Sequence, residues 1–357
     1  MSNPRKPTAL HLLQCVRSLS QLCSAPSIGY VMCAALFPAN EIVAITRRIL
    51  IVKSHRSRVT AFVSALLLGA TGSGAHAATG VILPPWVCAQ PDAIFVSGFE
   101  DGEIAVPHHP SSGSGGAYPG DQTRAVTVPG FGSHNYYLHV PSDYIPSRSW
   151  PLVIALEGAG GSPAEAVTEA QTIRSQWGSI VPRDDYVVIV PIASGAQGGW
   201  IPPDLNGNGP SDYDVIAAAI ADTESAYNIE LTRRHAWGYS AGGIILHDLV
   251  LTGWSGINAN TFGAYAVTGA PLAGCPTYNT VQSCVPANAA RIIPLDIRIG
   301  TSDPALPYVR NDKVRFLNAG WVLNTTLYYT EFVGGHTYST NDLTQDWGHL
   351  CPRAVVP

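Results

Sequence analysis

The chain has 357 residues, enough for one or two domains, with 46% apolar and 13% charged residues and a formal net charge of −5. It carries no basic stripe to neutralise phosphates, so a nucleic-acid partner is not expected.

Residues 53–77 read as a secretory signal. Lys53, Arg56 and Arg58 supply the positive region, Ala61 to Ala70 the apolar stretch, and Ala75-His76-Ala77 the small residues of a cleavage site. The apolar stretch is too short to remain as a membrane span. Such a signal belongs near the start of a chain, so residues 1–52 are read as an upstream extension absent from the mature protein. Of the seven cysteines, Cys15, Cys23 and Cys33 fall in that extension, leaving Cys88, Cys275, Cys284 and Cys351. An even set in an exported protein implies disulfides. Cys275 and Cys284 flank a short proline-containing loop and are the first expected pair; Cys88 with Cys351 would then tie the two ends together. Zinc is the competing use of these cysteines, but there is no Cys-x-x-Cys and no nearby histidine pair, so no metal is expected.

Residues 78–106 form a short segment containing Cys88, too small for a core of its own. Residues 107–122 are rich in Pro, Gly and Ser and read as a linker. Residues 123–357 are the size of one α/β domain. Tyr136 to Val140 alternates polar and apolar residues and suits an outer antiparallel strand. Leu152–Leu156 and Val187–Val190 are continuous apolar runs, as strands buried on both faces require. His235–Tyr239, Ala264–Thr268, Leu295–Ile299 and Thr326–Phe332 follow as further strands.

Helices are expected between them. Ser162-Pro163-Ala164-Glu165 carries a hydroxyl cap, proline in the first turn and glutamate three residues past the cap. Ser211 with Asp214 opens a second helix, a third follows Ser240, and Val309 to Asn318 is a fourth, stopped by Gly320. Strands alternating with helices predict right-handed crossovers and a mostly parallel central sheet with helices on both faces.

Gly238-Tyr239-Ser240-Ala241-Gly242 has the form of a nucleophile elbow, with a strand before it and an apolar helical pattern after it. That context points to an α/β-hydrolase. A serine hydroxyl needs a base to take its proton and an acid to orient the base, here in the chain order Ser, Asp or Glu, His. Asp303 fits the acid, because it follows a strand in Gly300-Thr301-Ser302-Asp303-Pro304; capping of the next helix is its plainer reading. Asp312, inside a helix, and Asp296, inside a strand, are the other candidates. His336 fits the base in Gly334-Gly335-His336-Thr337, with His349 as competitor, and His247 reads as a solvated or capping residue. The oxyanion donors are expected to be the amides of Ala241 and of Ala159 in the glycine loop 158–161. Tyr239, Glu157 and Trp200 are the expected substrate contacts. Asp204-x-Asn206-x-Asn208-Gly209 matches the start of a calcium loop, but Val215 stands where the bidentate glutamate belongs, so it reads as a turn walling the substrate pocket.

In this order the motifs resemble those of secreted polyhydroxybutyrate-depolymerase-like and feruloyl-esterase-like α/β-hydrolases. Tyr136–Pro141 is similar to their opening strand, Pro151–Ser162 to their oxyanion segment, Tyr227–Gly243 to the elbow region, and Gly300–Pro307 and Gly334–Tyr338 to the acid and base loops. The likeness covers roughly residues 123–340. It implies an exported serine esterase, secreted or periplasmic, with Ser240, Asp303 and His336 at the catalytic positions and no cofactor. Glu157 replaces the usual histidine of the oxyanion segment, and Tyr338 the tryptophan after the catalytic histidine. A carboxylate at 157 is expected to disfavour anionic substrates. Short acyl or aryl esters, acylated polysaccharides and polyesters all remain open as substrates, and a monomer is expected. A peptidase on the same scaffold and a non-catalytic surface-binding protein are the rival readings.

Overall fold

Seven consecutive buried residues, Trp150–Leu156, form the strand around which the domain is built. Its side chains alternate between two cores: Leu152, Ile154 and Leu156 face one, Val153 and Ala155 the other. A strand buried on both faces needs helices on both, and the chain supplies them. The structure is a computed structural model that describes residues 79–82, 108–180, 186–204, 209–278 and 281–356. The proposed extension, the signal, Cys15, Cys23, Cys33, Cys88, Asn206 and Asn208 lie outside the described residues.

In chain order the strands are β1 (Thr79–Ile82), β2 (Gly120–Val128), β3 (Gly132–Val140), β4 (Trp150–Leu156), β5 (Val187–Pro191), β6 (Ile229–Tyr239), β7 (Ala264–Thr268), β8 (Thr277–Tyr278), β9 (Val281–Gln282), β10 (Leu295–Gly300), β11 (Leu327–Phe332) and β12 (Arg353–Val356). The helices are α1 (Pro163–Trp177), α2 (Asp212–Ala226), α3 (Ala241–Thr252), α4 (Leu306–Asn318) and α5 (Thr340–Leu350). Eight strands make one sheet in the order β11-β10-β7-β6-β4-β5-β3-β2. Every pairing from β5 to β11 is parallel, and β3 is antiparallel to both its neighbours. Residues of α2, α3 and α4 pack in one core, those of α1 and α5 in the other. This is the α/β-hydrolase architecture. β4 lies between β5 and β6, so successive connections leave it in opposite directions and open a crevice above its carboxyl end.

Local chemistry set the helix starts as expected. Ser162 Oγ accepts from the Glu165 amide, and Ser211 with Asp214 closes a capping box. α5 and β12 were not expected. Ser339 and Asp342 form a second capping box, and Leu343, Trp347 and Leu350 pack the apolar side of α5 into the core.

The linker reading of 107–122 does not hold for its described part. Ser111 N–H donates to Ile229 O at 2.7 Å, Gly116 N–H to Ala226 O at 2.8 Å, and Gly120 already belongs to β2. A Cβ on Gly116 would meet the Tyr227 ring at 2.3 Å, and one on Gly113 the Tyr227 backbone nitrogen at 2.6 Å. The glycines are there for close approach, not for slack. Cys275 and Cys284 are bonded as expected, with Cα atoms 6.1 Å apart. Cys351 is also disulfide-bonded. No helix among the described residues is long and apolar enough to cross a membrane.

Candidate active site

β6 ends in a turn that only this sequence allows. Ser240 has φ 50° and ψ −119°, a strained conformation for a non-glycine residue. A Cβ on Gly238 would lie 2.6 Å from Gly243 Cα, and one on Gly242 would lie 2.4 Å from Glu157 O. The glycines on either side of Ser240 thus let β6, α3 and the end of β4 converge on one point. Ser240 N–H donates to Thr268 O at 2.8 Å, which anchors the turn to β7. Ala241 is the first residue of α3, so its amide has no acceptor within that helix and lies at the positive end of the helix dipole.

Two loops meet the turn. After β10, Asp303 Oδ1 accepts from the Ala305 amide at 2.8 Å, leaving Oδ2 for another partner. After β11, Gly334 O accepts from the Ser302 amide at 2.7 Å and stitches the two loops together. His336 Nδ1 lies 2.7 Å from Asp303 Oδ2, and His336 Nε2 lies 2.8 Å from Ser240 Oγ. With its Nδ1 proton held by a carboxylate, a neutral imidazole presents Nε2 as acceptor to the serine hydroxyl. Asp303 is almost wholly buried, and the imidazole is 39% exposed, open to an incoming molecule. Gly269, at φ +66°, covers the ring; a Cβ there would come within 2.9 Å of His336 Cε1.

The other candidates are spoken for elsewhere. Asp312 accepts from the Leu272 amide at 2.8 Å and pairs with Arg315. His349 Nδ1 lies 2.5 Å from Asp296 Oδ2 and stacks on Tyr328. His247 is not solvated as expected. It is buried against Tyr265, with Nδ1 3.1 Å from that hydroxyl, and burial pushes its pKa down to about 3, so it stays neutral. Pro203 and Gly209, flanking the turn expected to wall the substrate pocket, line a hollow with Asp214 and Trp254 that contains none of Ser240, Asp303 or His336.

Glu157 and Trp200 do not face a substrate. Glu157 is fully buried and its Oε1 accepts from the Ala193 amide at 2.6 Å, while Oε2 has no hydrogen-bond partner. Burial holds its carboxyl well above the usual range, which favours the neutral form of a group that lies behind the site. Trp200 is buried too, and its indole N–H donates to Glu157 O at 2.9 Å. Both brace the loop 158–161. A Cβ on Gly158 would lie 3.2 Å from Ser240 Cβ, which brings Ala159, the next residue, to the rim of the site. The Gly160 amide is taken by Gly198 O at 3.1 Å.

Tyr239 does border the site. Its hydroxyl donates to His336 O at 2.8 Å, and burial, then the charges of Glu169 and Asp303, raise its pKa to about 12. A column of rings runs inward from it: His336–Tyr239 5.2 Å, Tyr239–Tyr338 4.8 Å, Tyr338–Trp237 5.0 Å and Trp237–Trp177 6.0 Å between centroids. Tyr338, where the family pattern has tryptophan, is thus a link between the imidazole and the core. Sequence reasoning missed Glu169. It lies on α1 beside the buried stripe Ala166, Ala170, Ile173 and Trp177, and partial burial raises its pKa. A carboxylate at the edge of an apolar stripe was the available signal.

No protein-family model matches the chain. Over 196 residues it is 24% identical to "Probable feruloyl esterase C" of Aspergillus terreus (strain NIH 2624 / FGSC A1156), covering 54% of this chain and 67% of that protein. Among solved structures it is similar to a "ferulic acid esterase" at 14% identity and TM-score 0.47, covering 66% of this chain and 98% of the other. It is also similar to an S-formylglutathione hydrolase from Agrobacterium tumefaciens at 17% identity and TM-score 0.46, covering 64% of this chain and 95% of the other.

Proposed function

We propose that this chain is a carboxylic ester hydrolase, working as an exported serine esterase. The observation that carries the reading is the run Ser240 Oγ, His336 Nε2 at 2.8 Å, His336 Nδ1, Asp303 Oδ2 at 2.7 Å, on a serine held at φ 50°. Ser240 attacks the acyl carbon while His336 takes its proton, and Asp303 holds the imidazole in the productive tautomer and steadies the imidazolium. The amides of Ala159 and Ala241 stabilise the oxyanion; one such donor contributes about 3 kcal/mol in comparable enzymes. His336 then returns the proton to the leaving alcohol, and water, activated by the same imidazole, releases the acyl group from Ser240.

The distant feruloyl esterase relative favours aryl or acylated-polysaccharide esters over other classes. The resemblance to polyhydroxybutyrate-depolymerase-like proteins keeps polyesters among the substrates. Export is supported by the Cys275–Cys284 disulfide and the bonded Cys351, since disulfides persist in oxidising compartments. Residues 53–77 are read as the signal that directs it. Labelling by a fluorophosphonate probe tests the chemistry: wild type is expected to label and Ser240→Ala not to. Equal labelling of both would refute the role of Ser240.

A further inference from the structure

The loop that follows β5 is a mould for the loop that follows β4. Between Ser194 and Ile201 the backbone turns back on itself: Gly198 N–H donates to Gly195 O at 2.8 Å, and Gly195 N–H to Gly199 O at 2.9 Å. This loop is tied to residues 157–162 along its length. The Trp200 indole N–H donates to Glu157 O at 2.9 Å, and Gly198 O accepts from the Gly160 amide at 3.1 Å. A Cβ on Gly198 would lie 2.3 Å from Ser162 O, and one on Gly199 would touch Ala159 Cβ at 3.8 Å. The Ala159 amide therefore lies between two fixed points, Glu157 O and the Gly160 N–H. One side chain closes both ends of the mould. Asp212, the first residue of α2, is wholly buried. Its Oδ1 accepts from Ser194 Oγ at 2.6 Å, and its Oδ2 from the Ser194 amide at 3.2 Å and the Ile201 amide at 2.7 Å. The Asp212 amide in turn donates to Ile201 O at 3.0 Å.

We propose that Asp212 is a positioning residue for oxyanion stabilisation: by clamping Ser194 to Ile201 it sets, through the loop between them, the direction of the Ala159 amide. The proposal rests on the serine esterase reading above, in which Ala159 is one of the two donors. It gives Asp212 a part in holding the transition state, and not only in holding the fold. Displacing a catalytic group by about 1 Å can cost about a hundredfold in rate, so a small loosening of the loop is enough. The two roles separate by experiment, because a loss of fold acts on every substrate alike, whereas a displaced donor acts only where an oxyanion forms.

Two p-nitrophenyl esters of butyric acid test it on the full chain, one with its carbonyl oxygen and one with sulfur in that place. Sulfur is larger and a weaker acceptor, so amides placed for an oxyanion hold it poorly. Rates are taken per site titrated with a fluorophosphonate, which leaves unfolded protein out of the count, and are corrected for each ester's rate with hydroxide. Wild type is expected to favour the oxygen ester by about a hundredfold. Asp212→Asn has one acceptor oxygen in place of two, so Ser194 or Ile201 meets an N–H group instead. It is expected to lower kcat on the oxygen ester by about thirtyfold, with KM nearly unchanged, and to bring the oxygen-to-sulfur ratio down by about tenfold. Ser194→Ala removes only the 2.6 Å bond and is expected to move the ratio the same way by about threefold, which keeps the test open if Asp212→Asn yields no folded protein. A ratio unmoved in the variants, whether or not both rates fall, would overturn the proposal. A wild type that cleaves both esters alike would remove the oxyanion donors and the proposal with them, while leaving Ser240 in its role. No turnover by wild type, together with absent labelling, would remove the esterase reading itself and the part of Asp212 in it.

Discussion

Two nested histidine–carboxylate pairs join the start and the end of the chain segment from β10 to α5, and only one adjoins the Ser240 hydroxyl. His336 and Asp303 are 2.7 Å apart, His349 and Asp296 2.5 Å. The first pair sits on loops beyond the carboxyl ends of β10 and β11, where glycines let the backbone crowd the strained Ser240. The second is built into β10 and α5 and belongs to a buried ionic cluster. Arg298, within that cluster, donates to Asp342 at 3.0 Å and pairs with Asp346 Oδ1 at 2.7 Å. Trp237 N–H also donates to Asp346, at 2.9 Å. The comparison teaches that an imidazole on a carboxylate is not yet a site. Position at the sheet's carboxyl edge, and a serine held out by backbone strain, separate chemistry from architecture.

The comparison breaks most sharply at the acids. Asp303→Asn is expected to lower kcat by about 10⁴-fold, since the amide favours the wrong imidazole tautomer, with little change in melting temperature. A loss under tenfold in a steady-state ester assay would mean that the first pair is no more catalytic than the second. Arg298→Met probes the other side. Removing the guanidinium that pairs with Asp296, Asp342 and Asp346 is expected to destabilise the fold by about 3–5 kcal/mol in chemical denaturation, because it leaves buried carboxylates without that partner. The folded fraction is expected still to label at Ser240; loss of labelling in protein shown to be folded would place the cluster within the chemistry.

The smallest effect sharpens the reading of Glu157. Its folded pKa is raised by burial, so its stabilising contribution is whole below its ordinary value of 4.5 and is lost as pH rises toward the folded value. Glu157→Gln does not titrate. Its melting temperature relative to wild type is therefore expected to be lowest near pH 4 and to improve as pH rises, by about 2–4 °C for each 1 kcal/mol relieved. Parallel melting curves across that range would mean that the carboxyl is charged and solvated after all.

The strands were legible because burial on both faces leaves an unbroken apolar run, as in Leu152–Leu156 and Val187–Val190. The positions of Ser240, Asp303 and His336 were legible because chain order and strand ends fix where such residues stand, whatever the rest of the sequence does. What escaped has one physical cause. Where a polar side chain points depends on partners distant in sequence. Glu157 reads as a carboxylate beside the oxyanion loop, yet it is fully buried, and burial pushes its carboxyl towards the neutral form despite the bond from the Ala193 amide. Residues 107–122 read as a linker, yet Gly113 and Gly116 lie against Tyr227, over a hundred positions on. α5 had a local signal in Ser339 and Asp342, but its apolar residues are spaced as one side of a helix and form no continuous run.

The ring column behind the imidazole has an optical consequence. Trp237 is separated from His336 by two tyrosines in mutual contact, so an indole emitter lies at a short remove from that imidazole. A molecule that reseated Tyr338 or Tyr239 is therefore expected to alter the emission of Trp237, which fluorescence would read without a label.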